Sequence, residues 1–114
     1  MTLREHVQTE LRTAKECKRG GDVAGAWGAL ERAHVLSQPL ALQHTRVHGH
    51  MLRLGLVTGD LREVLGQCVR ILLAGPGSLT GRFPVGNTGR ARIGLNTPMA
   101  IPDELARNLD GRDP

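Results

Sequence analysis

Apolar residues recur at helical spacing along the first 72 positions of the chain, in four blocks separated by turn-forming residues. Thr2 opens the first block as an N-cap, with Glu5 three residues on as its capping-box partner. Leu3, Val7, Leu11 and Ala14 then share one stripe. Lys15 and Lys18 fall toward the C-terminal end, where cations complement the helix dipole, and Gly20-Gly21 stops the segment. The pattern predicts a helix over residues 2–18. Asp22 caps a second helix whose apolar face is Val23, Ala26, Trp27, Leu30, Ala33 and His34. Pro39 ends it by biasing Gln38 away from helical geometry. A third helix is expected from about Leu40 to Leu56, with Gly55 a weak point near its end. Thr58-Gly59-Asp60 reads as a turn, and Asp60 caps a fourth helix. Leu61, Val64, Leu65, Cys68, Val69 and Leu72 give that helix a one-face apolar pattern expected to lie inward.

The blocks repeat. Gly21-Asp22 and Gly59-Asp60 stand 38 residues apart, and the same shift matches Val23 to Leu61, Trp27 to Leu65, Gly28 to Gly66 and Leu30 to Cys68. Each unit is helix, Gly-Asp turn, helix, a pattern close in period to tetratricopeptide-type hairpins. The expected fold class is all-α: two tandem TPR-like helical hairpins, over 2–36 and 40–74. Two units are fewer than such arrays usually need, so the remainder of the chain is expected to complete the core.

That remainder changes character. Residues 75–102 carry six glycines and four prolines, with sparse apolar residues at Leu79, Phe83, Val85, Ile93, Leu95, Met99 and Ile101. The expectation is an extended Gly/Pro-rich segment wrapped over the helices, since its apolar content argues against plain disorder. Pro102-Asp103 starts a short last helix over 103–109, and the whole of 1–114 reads as one domain.

Composition narrows the function classes. One Phe, one Trp and no Tyr leave an aliphatic core, with Trp27 as its one large anchor. No apolar run reaches about 18 residues, so no membrane span is expected. The polar N-terminal segment lacks the apolar stretch of a secretory signal, which makes the cytoplasm the expected compartment. Cys17 and Cys68 lie far apart on helical stripes and read as reduced core thiols. The net charge is +4, but the basic residues are scattered, without a run or stacking aromatics, so no nucleic-acid partner is expected.

The pointed chemistry is histidine. His44 and His48 share a face at i, i+4, and Met51 continues it. His34, in the last turn of the preceding helix, is brought toward them by the short connection. A histidine pair at this spacing chelates borderline metals, and a third imidazole leaves an open position. The candidate ligand set is therefore His34, His44, His48 and Met51, and the candidate cofactor is a transition metal, zinc or copper. Sulfur from Met51 or Cys68 would favour Cu(I). Affinity is expected to fall below about pH 6.5, where imidazole protonates.

Against this stand the absence of an HExxH motif, the commonness of core histidines bonded to carbonyls, and the repulsion expected from Arg46 and Arg53. His50 points away from His48 and is expected to be solvated. The same histidines could act as general acid and base, with Glu31 or Gln38 orienting a ring, but no nucleophile or organic-cofactor motif accompanies them. Gly86-Asn87-Thr88-Gly89-Arg90 offers backbone donors for an anion or a lid, yet it lacks the Lys-Ser/Thr of a P-loop and reads more simply as a turn.

Together, Glu31-Arg32-Ala33-His34, His44-Thr45-Arg46-Val47-His48 with Met51, Gly86-Asn87-Thr88-Gly89-Arg90 and Pro98-Met99-Ala100-Ile101-Pro102 resemble a bacterial protein family of unknown function, DUF3703. The resemblance spans about residues 5–108. It implies no activity and no assigned catalytic residue. It implies that histidines and glycine-rich tail belong to one design, with the tail closing over the cluster. Three functions stay open: a metal-binding accessory, chaperone or sensor; a TPR-like interaction module with a protein partner or a homodimer; and a small enzyme of unknown substrate.

Overall fold

A computed structural model describes the backbone of residues 1–80 and 101–110 and the side chains of 1–71 and 101–109. The described residues form five α-helices and no strand: α1 (Leu3–Arg19), α2 (Val23–Ser37), α3 (Ala41–Thr58), α4 (Leu61–Thr80) and α5 (Asp103–Asp110). None is long and apolar enough to cross a membrane.

Local chemistry sets the ends of these helices. Thr2 and Glu5 close the expected capping box, each side chain satisfying the other's backbone N–H at 3.1 and 2.7 Å. Both Gly-Asp turns place glycine at positive φ, 81° at Gly21 and 73° at Gly59, where a Cβ would be strained. The following aspartate caps the next helix in each case: Asp22 accepts from Gly25 N–H and Asp60 from Glu63 N–H. Gly55 has a packing role rather than being a weak point. A Cβ there would stand 3.3 Å from Glu63 Cβ, so its absence lets the start of α4 lie close on α3.

The core is aliphatic, as composition requires. Leu3, Val7, Leu11 and Ala14 of α1 pack with Ala26, Trp27, Leu30, Ala33 and Leu36 of α2, Val47, Met51 and Leu54 of α3, and Leu105 of α5. Val23, expected on the buried face, is exposed beside the turn.

The fourth helix departs from expectation twice. It runs to Thr80, past Gly75 and Pro76, so the extended segment does not begin at 75. Proline forfeits one helical hydrogen bond, but its clash with the preceding Cβ is absent because residue 75 is glycine. More consequentially, α4 is turned inside out. Leu61 (74%), Leu65 (69%) and Val69 (51%) are exposed, as is Cys68, while Glu63, Gln67 and Arg70 are buried. The expected inward apolar face therefore faces out, and Cys68 is not a core thiol; Cys17 is half-buried against the core. Two causes combine. Among the described residues α2 packs on α1, α3 and α5, whereas α4 packs on α3 alone. The face of α3 that α4 meets carries imidazoles, which need polar partners.

Candidate metal centre

The cluster is built by a tight helix–helix joint. α2 ends at Ser37, whose hydroxyl donates to the His34 carbonyl at 3.1 Å. Leu40 N–H bonds back to the Ser37 carbonyl at 2.7 Å, and His44 N–H to Leu40 at 2.8 Å. This closed connection sets the last turn of α2 against the first turns of α3. His34 thereby meets the i, i+4 pair His44 and His48, and all three are almost fully buried, at 3%, 6% and 2% exposed.

Their Nε2 atoms face one another. The separations are 2.9 Å for His34–His44, 3.2 Å for His34–His48 and 3.2 Å for His44–His48. The ring centroids lie 4.6–4.8 Å apart. A point at the usual zinc–nitrogen distance of about 2.0–2.1 Å from all three lies roughly 1 Å off their plane. The three nitrogens could thus form the base of a pyramid with an ion at its apex.

The buried polar face of α4 fixes the protonation pattern. Gln67 Nε2 donates to Glu63 Oε2 at 3.1 Å, because a carboxylate accepts. The Gln67 amide oxygen must then face His48 Nδ1, 2.7 Å away. An amide oxygen also accepts, so His48 carries its proton on Nδ1 and directs the Nε2 lone pair at His34 and His44. Arg70 completes the row, its charge coupled to Glu63. Gln67 is the group that orients the His48 ring. Sequence reading missed Glu63, Gln67 and Arg70, although they recur at i, i+4, i+7, a polar stripe with the same period as the apolar one.

Electrostatics favour neutral rings. Burial lowers the His44 pKa to about 3, with repulsion from His48 adding to it. Burial lowers His48 to about 4, opposed by the Gln67 hydrogen bond and aided by Arg70. Both present unprotonated imidazole far below pH 6.5, which corrects the expectation that proton competition sets in there. The repulsion expected from Arg46 and Arg53 falls instead on His50, which is half-buried on the other side of α3 rather than solvated.

Among the described residues, His34, His44 and His48 are the grouping of His, Cys, Asp and Glu side chains able to hold a metal ion. Met51 is fully buried in the aliphatic core one turn past His48. Cys68 faces outward and does not join the cluster. The loop Gly86, Asn87, Thr88, Gly89 and Arg90 lies outside the described residues.

The sequence profile of a family described as protein of unknown function (DUF3703) matches residues 1–109, nearly the whole chain. The chain belongs to this family. No curated protein and no solved structure matches it. What DUF3703 contributes is therefore a family frame without an assigned activity, and in this member the chemistry rests on the joint between α2, α3 and α4.

Proposed function

We propose that this chain binds one borderline transition-metal ion, zinc or copper, through His34, His44 and His48, in an accessory, chaperone or sensor role. The observation that carries the reading is the convergence of three Nε2 atoms within 2.9–3.2 Å of one another in a buried site. An N–H on one ring can bridge the other nitrogens, and a single cation can equally accept a lone pair from each of the three. Neutral imidazoles bring no negative charge, so Glu63, acting through Gln67, supplies compensation from the next layer. Met51 is the proposed source of a fourth, sulfur ligand, which would favour Cu(I). The same crowding leaves no space between the rings for an organic substrate, which weakens the enzyme reading.

Protein purified without a histidine tag and titrated with Zn²⁺ and with Cu⁺ should take up one ion per chain. The His44→Ala/His48→Ala double variant should take up none. Absence of metal, with no change in affinity in the double variant, would overturn the proposal. Gln67→Leu retains all three ligands but frees the His48 tautomer. Its zinc affinity, read by competition with a chelating indicator, is expected to fall about 10–100-fold.

A second reading rests on the inverted α4. By the 38-residue repeat, exposed Leu65 and Cys68 stand where Trp27 and Leu30 are buried in the first unit. Leu42, Leu56 and Val57 of α3 are also exposed. An outward apolar face at the end of a TPR-like array is where a next helix would stack, from a protein partner or a second copy. Light scattering should then report a dimer that Leu61→Glu/Leu65→Glu converts to monomer. A wild-type monomer that retains no partner in a pull-down counts against this reading.

A further inference from the structure

The cations that are scattered along the sequence are gathered by the fold. Arg46, His50 and Arg53 recur at i, i+4, i+7 on α3 and face Arg12, Lys15 and Lys18 of α1. Two adjoining cavities lie between these rows, of about 190 and 60 Å³, and Lys15 and His50 line both. The larger is rimmed by Arg12, Lys15 and Arg46. The smaller is floored by Ala14, Leu30 and Leu54 and rimmed by Lys15, Lys18 and Arg53.

Among the described residues no carboxylate lines either cavity. Among the described residues none of these five Lys and Arg side chains is in an ion pair, and Glu10, also on α1, pairs with Arg32 instead. The charged groups that act on His50 are all cations: Lys15, Arg53, Arg46 and Lys18. Like charges converging on a concavity are mutually destabilising unless a counter-charge occupies it. The apolar floor is not explained by an inorganic ion alone.

We propose that the cleft between α1 and α3 binds a small organic anion, an oxyanion head group on a short apolar body. The head group lies among Arg12, Lys15, Arg46 and Arg53, which supply directed donors and charge. The body lies on Ala14, Leu30 and Leu54. His50 offers a ring nitrogen at the junction. The site is on the opposite side of α3 from the histidine cluster and does not depend on it.

The test is titration of ¹⁵N-labelled full-length protein with phenyl phosphate, benzoate and inorganic phosphate. Saturable shifts confined to α1 and α3 are expected with phenyl phosphate or benzoate, and the better of the two names the head group. Inorganic phosphate should bind at least several-fold more weakly. The surface substitutions Lys15→Gln/Arg53→Gln should weaken binding roughly tenfold or more, and affinity should fall between about 50 and 300 mM salt. The control Arg4→Gln/Arg62→Gln, outside the cleft, should leave it unchanged. The proposal is overturned if neither organic anion saturates, or if the shifts lie elsewhere. It is also overturned if both double variants lose affinity alike, or if only an oligonucleotide binds, which would mark a general polycation.

Discussion

His48→Ala is expected to lower zinc affinity about a thousandfold and to do so more than any change outside the triad. Full structural zinc sites are worth roughly 10–16 kcal/mol, so one ligand in such a set carries about 4 kcal/mol, and each 1.4 kcal/mol is tenfold. His48 is the ligand to choose because its tautomer is fixed from behind by Gln67. The expected series is graded: about 10³-fold for His48→Ala, about 10–100-fold for Gln67→Leu, and no change for His50→Ala, two positions away on another face. Competition titrations on the three variants measure it. His48→Ala also leaves the Gln67 oxygen without its buried donor, which costs about 1–3 kcal/mol in the metal-free protein. Thermal melts run in parallel, and His44→Ala as a second ligand variant, separate lost binding from lost folding. Equal affinity in wild type and His48→Ala would remove the site.

The second large effect is acid destabilisation of the metal-free protein, beginning well above the range where carboxylates titrate. An unfolded histidine takes its proton near pH 6.5, whereas folded His44 and His48 resist it to about 3 and 4. Between these limits the unfolded chain binds protons that the folded chain refuses, so stability falls as pH drops from about 6.5. Above 6.5 the contribution is whole, and it shrinks until the folded pKa values are passed. At pH 5 linkage amounts to roughly 2 kcal/mol per histidine, about 4 kcal/mol for the pair. Domains of this kind hold about 5–15 kcal/mol in total, so the loss is a large fraction. Urea unfolding at pH 7.5 and pH 5 measures it. The His44→Ala/His48→Ala variant should lose most of the slope, and saturating zinc should move the acid transition to lower pH. A wild type equally stable at both pH values would contradict the burial of neutral imidazoles.

The candidate site is partly legible in the sequence. His44 and His48 had to share a face by spacing alone, and the short link after Pro39 brought His34 to them. The layer behind them was not legible. Glu63, Gln67 and Arg70 recur at helical spacing, but so do Leu61, Leu65 and Cys68, and hydrophobic patterning gives preference to the apolar set. The gathering of cations was not legible for a related reason: Arg12 and Lys15 lie more than 30 positions from Arg46 and His50, so only packing of α1 beside α3 brings them together.

The sequence by itself determined what is local: the capping box at Thr2, the positive-φ glycines before Asp22 and Asp60, the stripe of α1, and the helical repeat. These depend on interactions within about four residues of the chain. Tertiary structure decided which face of α4 goes inward, and with it the protonation of His48. The reason is that burial is a property of pairs of surfaces. Two of the cluster's three imidazoles, His44 and His48, lie on α3, which offers α4 buried rings needing polar partners, and no described helix covers its other side, so the polar stripe turned in and the leucines turned out.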